Sequence, residues 1–334
     1  MTNRPPLVRL LVWVVRLALA AAAASLLARL LGGGTATPLP QLAVFLPYAA
    51  AVAALALLGA LALRIWRTAA VAAVLVAVPV ALLAPRFVTD PGLTVRPGAR
   101  AAGDTLRVMT ANVLAGGADA EDVVATVRRE APDVLAVEEL TPAAVRRFDA
   151  AGLAKALPHR ILRAEPGVAG MGLYSRLPLR ATGVLKEPTT FAMPWAVVDL
   201  PGGPVRIQAV HTFPPLPLRE GRWSDDLAAL ARRARVTPGR QVLLGDFNAT
   251  LDHGPFRKVL AAGPADVHDA LGRGLVRTWP SGLPLFHLDH VLFAGGLKAV
   301  DVHERTIPGT DHLAVVAELR VPSAGSAPGT GSRP

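Results

Sequence analysis

QVLLGDFNATLDHGPF, residues 241–256, is the stretch on which the reading of this chain turns. An apolar run enters Gly245 and stops there, the pattern of a buried strand that ends at a tight turn. Asp246 and Asn248 follow, two residues apart. Side chains at i and i+2 of an extended segment point to one side. An acid and an amide aimed together from a strand end suit a divalent cation and a phosphate oxygen. Gly, Asp and Asn are also ordinary turn formers, so companion segments must decide between site and turn.

The chain has 334 residues, room for a membrane segment and one large domain. It is 52% hydrophobic, with a mean hydropathy of +0.40. The absence of cysteine excludes disulfides, thiolate metal sites and cysteine nucleophiles. The net charge of +10 is unevenly placed. Residues 1–100 hold nine arginines against one acid, Asp90, whereas residues 101–319 hold 24 basic and 24 acidic side chains. The globular part is therefore neutral, and global basicity is no argument for a long nucleic-acid track.

Three apolar runs, 7–31, 42–63 and 68–84, each approach the roughly 20 helical residues needed to cross a bilayer core. Three transmembrane helices are expected, the first carrying Arg16 and Arg29. Arg4 and Arg9 flank the first run, and Arg64 and Arg67 join the second to the third. The positive-inside rule places these ends in the cytoplasm. Three crossings then put everything after Pro85 outside, giving a multi-pass protein of the cell membrane with an extracytoplasmic domain. Pro and Gly mark 85–105 as a linker, 106–320 as the domain, and 321–334 as a disordered tail.

Within the domain, strands are expected at 106–113, 133–137, 241–245, 287–293 and 313–319. Helices are expected at 119–130 with Asp119 as cap, after the Thr141-Pro142 pair, and at 219–235. The mixture predicts α/β layers with mixed sheets. Polar side chains recur at the strand ends: Asn112, Glu138 and Glu139, His211, Asp246 and Asn248, Asp289 and His290, Asp311 and His312. Each alone reads as a turn or structural residue. Together, in one domain, they exceed what turn chemistry supplies.

In order, TANVL (110–114), DVLAVEEL (133–140), MGLYSRLPL (171–179), VHTFPP (210–215), GDFNAT (245–250), LDHVL (288–292) and TDHLAV (310–315) resemble the endonuclease/exonuclease/phosphatase superfamily. The resemblance implies a four-layer α/β sandwich, two mixed β-sheets face to face with helices outside. It implies hydrolysis of phosphate esters with a divalent cation, usually Mg²⁺ or else Mn²⁺. Glu139 then matches the metal-binding glutamate, Asn112 the asparagine near metal and phosphate, and Asp311 a second metal-side carboxylate. His211 matches the histidine on the scissile phosphate, and Asn248 the phosphate-binding amide. Asp246 matches the aspartate that orients or deprotonates water, and His312 the late catalytic histidine with Asp289 as its partner. Glu138 stands where the family often has glutamine.

The chemistry is coherent. A cation on hard carboxylate oxygens offsets phosphate charge and acidifies water, donors meet the non-bridging oxygens, and a His–Asp pair fixes one tautomer. Either Asp246 or His312 could be the general base. Arg176 is a further candidate for the phosphate. His253 and His287 are expected as caps or at the surface, and Trp195, Trp223 and Trp279 in the core or at its rim. The substrate is a lipid head group, nucleotide or nucleic acid; the bilayer is the other partner, and no obligate protein partner is evident. An extracellular nuclease and a non-catalytic binding domain are the alternatives.

Overall fold

The computed structural model describes residues 5–32, 36–95 and 103–323. Arg4, Arg96, Arg100 and the tail from residue 324 lie outside the described residues. Period-two alternation divides the strands between two faces. On β1 (Gly103–Asn112), Leu106 and Val108 face the gap between two sheets, while Met109 and Ala111 face helices. On β8 (Arg240–Asp246), Val242 and Leu244 face the gap and Leu243 faces outward.

Two six-stranded sheets result. The first runs β11 (Lys298–Thr306), β12 (Leu313–Pro322), β1, β2 (Val134–Glu138), β4 (Met171–Ser175), β3 (His159–Arg163). The second runs β5 (Leu179–Val184), β6 (Pro194–Leu200), β7 (Gly203–His211), β8, β10 (Asp289–Ala294), β9 (Ala265–Asp266). In each sheet one central pair is parallel, β1 with β2 and β7 with β8; the other pairs are antiparallel. Helices α5 (Ala120–Glu130) and α6 (Pro142–Ala151) cover the first sheet. Helices α8 (Glu220–Val236) and α9 (Gly254–Leu260) cover the second. Asp119 accepts from the amides of Glu121 and Asp122, and Thr141 from that of Ala144, so both expected caps form.

The apolar N-terminal region differs from expectation. Helices α1 (Pro6–Leu30), α3 (Leu46–Ala62) and α4 (Trp66–Leu83) pack side by side along a seam rich in alanine, including Ala22, Ala53, Ala56 and Ala72. Leu17, Leu55, Leu58 and Val74 point outward and are exposed. Two helices, Pro6–Leu30 and Trp66–Phe87, are long and apolar enough to cross a membrane. The run 42–63, expected as the second of three spans, is not one helix. It is divided between α2 (Leu39–Ala43) and α3. Pro47 has no amide to donate to Ala43, so the helix restarts. The 17 residues of α3 reach about 25 Å at 1.5 Å per residue, less than the roughly 30 Å of a hydrocarbon core.

The bundle is bolted to the sandwich. Asp252, 1% exposed, accepts from Arg29 Nε at 3.2 Å and from Arg86 Nη2 at 2.6 Å. Tyr48 donates to the Leu285 carbonyl at 2.6 Å, and Gln41 to that of Pro215 at 2.6 Å. A Cβ on Gly254 would lie 1.8 Å from the Gly32 carbonyl oxygen, so glycine permits the end of α1 to meet α9. Part of the stretch expected as a linker is packed as well: the Asp90 amide bonds to the Ala270 carbonyl at 2.8 Å, and Thr94 bridges Ala299. Asp252→Ala leaves two arginines facing each other with no counter-charge. A loss of about 3–5 kcal/mol is expected, read as a lower thermal midpoint of the full chain in detergent; an unchanged midpoint would refute the docking role of Asp252.

Candidate active site

The inward face of each central strand changes from apolar to polar at the same end. On β8 the series Val242, Leu244 continues to Asp246; on β7 Val205, Ile207, Ala209 continues to His211. On β1 it continues to Thr110 and Asn112, and on β2 to Glu138. Strand β10 runs the other way and begins with Asp289. Register aligns these ends: Asn112 is opposite Glu138, His211 opposite Asp246, and Asp246 opposite Asp289. The carboxyl ends of parallel strands are where open α/β sheets present their ligand sites.

Asp246 is the hub. Its Oδ2 accepts from Asn112 Nδ2 at 3.2 Å and from Asn248 Nδ2 at 3.3 Å, and its Oδ1 from the Asn248 amide at 2.7 Å. His211 Nε2 and His312 Nε2 lie 3.8 and 3.9 Å from the same Oδ2. His312 Nδ1 lies 2.9 and 3.1 Å from the two oxygens of Asp289; an ionised carboxylate only accepts, so this nitrogen carries the proton. Glu139 leaves the sheet at φ +58°, and its Oε1 accepts from Asn112 Nδ2 at 3.1 Å and its Oε2 from the Ala115 amide at 2.6 Å. Glu138 stays in the sheet, accepting from Thr110 at 2.8 Å.

The charges separate by environment. Burial holds Asp246 above the usual carboxylate range, against the pull of His312 and of its amide donors. Burial also disfavours a charge on His312, but Asp289 and Asp246 outweigh it and raise the ring to about 10. For His211, burial comes first and the neighbouring His312 charge second; both act downward, to about 3. Burial pushes Glu138 well up. The two histidines are thus driven in opposite directions, His312 toward the cation and His211 toward the neutral ring.

Asn112, Glu139, His211, Asp246, Asn248, Asp289 and His312 all meet around one cleft. Asp311, expected as a second metal-side carboxylate, lines the same cavity as Glu139. It lies on the His312 side, its Oδ2 accepting from Trp279 Nε1 at 2.9 Å and its Oδ1 3.9 Å from His312 Nε2. Asn112 turns its nitrogen to Glu139 and Asp246, while its oxygen accepts from the Leu114 amide at 3.0 Å. Around the cleft, the acidic and histidine ligand atoms that fall within 4.8 Å of one another belong to Asp246, Asp289 and His312. Arg176 is at the opposite end of β2, paired with Asp133. His253 and His287 are buried, not at the surface. One residue went unread: Phe191 stacks on His211 at 4.7 Å. Trp279, expected in the core or at its rim, lines the cavity and donates to Asp311. Nothing in KEPTTFAMP marks Phe191, because its partner is distant in sequence.

The donor set suits a hard cation. Glu139 and Asp246 supply carboxylate oxygens that share one amide, and the buried Glu138 Oε2 and Asp311 Oδ1 have no hydrogen-bond partner. A cavity of about 500 Å³ opens over Glu139, His211, Asp246, Asn248, Asp311 and His312. The model of the Endonuclease/Exonuclease/phosphatase family matches residues 109–312, more than half the chain. The chain belongs to this family.

Members of the family are hydrolases of phosphate esters, generally dependent on divalent metal. No curated protein sequence matches the chain. Among solved structures, D. rerio TDP2 complexed with single strand DNA product is 17% identical, with a TM-score of 0.55 over 65% of this chain and 99% of that one. The endonuclease/exonuclease/phosphatase from Beutenbergia cavernae is 22% identical, with a TM-score of 0.52 over 67% and 73%. The 3' phosphatase NExo from Neisseria, bound to product DNA hairpin, is 21% identical, with a TM-score of 0.52 over 64% and 98%. At these identities the likeness establishes the fold. In the chelator-treated protein, imidazole ¹⁵N spectra are expected to show His211 neutral and His312 protonated at pH 8. Asp289→Asn removes the principal counter-charge and should lower the His312 pKa. A native His312 that titrates near 6.5 would overturn this electrostatic picture.

Proposed function

We propose that this protein is a Mg²⁺- or Mn²⁺-dependent phosphoesterase and that Asp246 is its general base. The observation that carries the proposal is the placement of Asp246. Its Oδ2 stands at the cavity floor, 3.8 and 3.9 Å from Nε2 of His211 and His312, while His312 Nδ1 is taken up by Asp289. Burial also pushes Asp246 upward, toward the range in which a base is effective. Asp246 orients water and takes its proton. Neutral His211 and Asn248 donate to non-bridging phosphate oxygens, and the His312 cation offsets the charge that accumulates in the transition state. Glu139, with Asp246 beside it, would hold the cation, which supplies charge neutralisation and a more acidic water. Asp311 steadies His312 and Trp279 at the rim.

The further proposal is that the domain, from about residue 106 to 320, works on the extracytoplasmic side. Val12, Ala60, Ile65 and Ala69 meet at one end of the bundle, so Arg9, Arg64 and Arg67 cluster there. Arg29, Tyr48 and Arg86 touch the sandwich at the other. The 17-residue α3 completes the crossing where the bilayer thins around it, and the positive-inside rule then assigns the sandwich to the outer side. A nuclease is the second reading, favoured by the DNA products held in two of the similar structures. The test is hydrolysis of a soluble p-nitrophenyl phosphodiester by the full chain in detergent. Activity should require Mg²⁺ or Mn²⁺, vanish with EDTA, and fall about 10²–10⁴-fold in Asp246→Asn. An Asp246→Asn enzyme with native turnover would remove Asp246 from the reaction.

A further inference from the structure

The cavity over the catalytic residues has a polar floor and apolar walls, and one wall comes from the N-terminal helices. Pro40, Gln41, Val44 and Phe45, at the corner between α2 and α3, line it beside Pro214, Pro215 and Leu216, with Gln41 donating to the Pro215 carbonyl. Phe45 packs edge-on against Phe286 at 5.4 Å and remains 46% exposed. Among the described residues, no Lys or Arg lines this cavity. A site for a nucleic-acid track would be expected to carry such cations beside the reacting phosphate.

The surface around the mouth extends the apolar wall. Between residues 103 and 323 the exposed large apolar side chains concentrate on this side of the sandwich. Leu114, Val168 and Leu216 line the cavity. Leu218 is 92% exposed, and its amide donates to Thr37 Oγ1 at 3.2 Å. Leu283 and Leu285 belong to the loop that meets Tyr48. An apolar ring at a cavity mouth marks an interaction surface. Leu27, Leu30 and Leu31, at the domain end of α1, are exposed as well. Because the α2–α3 corner lines the cavity, the mouth stands where the bundle meets the sandwich.

We infer that the substrate is a phosphate ester bearing a long hydrocarbon chain, drawn from the bilayer. This rests on the phosphoesterase reading above and names its substrate class. The phosphate sits on the floor formed by Asp246, Asn248, His211 and His312. The chain lies along Val44, Phe45 and Leu216 and leaves through the apolar ring. Water attacks phosphorus, Asp246 takes the water's proton, and the alcohol or alcohol phosphate departs with a proton returned from solvent.

The test uses the full chain in mixed micelles with Mg²⁺ and two p-nitrophenyl phosphodiesters, one hexadecyl and one methyl. The hexadecyl ester should have a kcat/KM at least tenfold higher. Phe45→Asp and Leu216→Asp should each bring the ratio of the two toward one. So should Leu218→Asp, whose 92% exposed side chain leaves no cavity behind when replaced. Enrichment of the long ester in micelles would raise the ratio in native and variant proteins alike, so the variants separate wall contact from partitioning. A native ratio near one, ratios unmoved by all three variants, or faster cleavage of single-stranded DNA than of the hexadecyl ester overturns the inference. If neither ester is cleaved, the phosphoesterase reading fails and the inference fails with it.

Discussion

A carboxylate buried at the end of the gap between two β-sheets must be matched by donors or it will not remain charged. Asp246 is that carboxylate, and the local structure is arranged by the need to match it. Asn248 adopts φ +46° and returns both its amide and its side chain to Asp246. Asn112 reaches across from the other sheet and joins Asp246 to Glu139. Gly245 sits at φ +149° with the Val210 carbonyl where a Cβ would be, 1.8 Å away, so only glycine lets β7 come close enough to set His211 opposite Asp246. The two sheets are thus tied at their polar end by hydrogen bonds that also prepare the site.

The same constraint explains how much could be read from the sequence. An inward series such as Val242, Leu244, Asp246 is local, and a period of two is visible in any strand. The polar strand ends and the caps at Asp119 and Thr141 are equally local. Strand β11 escaped because KAVDVHERT lies at a sheet edge, where charged side chains replace the apolar alternation. The break at Phe45 escaped because Pro47 stands inside an otherwise uninterrupted apolar run. The positions of Asp311, Arg176 and Phe191 depend on partners 32, 43 and 20 residues away, and no periodicity encodes such pairings.

Asp252 repeats the theme at the junction with the helices. It is as buried as Asp246, but its partners are the guanidinium groups of Arg29 and Arg86. These arginines lie at the end of α1 and just after α4, so one carboxylate fixes two ends of the bundle. His253, next in sequence, adds a bond from Nε2 to the Pro40 carbonyl at 3.0 Å while Nδ1 accepts from the Thr250 amide at 2.8 Å. The α2–α3 corner is therefore held by the segment that follows GDFNAT. Moving the helices would disturb the loop that carries Asn248.

This coupling gives the two histidines of the site separate meanings. His211 and His312 are similarly buried, and desolvation alone would leave both neutral. Only His312 has Asp289 at hydrogen-bonding distance, and that carboxylate reverses the sign of the shift. His211 instead lies under Phe191, whose ring shields it without offering an acceptor. A neutral donor and a fixed cation on either side of one buried carboxylate are what an incoming anion needs from a cleft whose lining lacks lysine and arginine. Arg219 and Arg222 stand outside the cavity, next to Leu218 and over Phe213. Within it the apolar wall is the feature that can hold a hydrocarbon, and it is built in part from the helices that Asp252 secures.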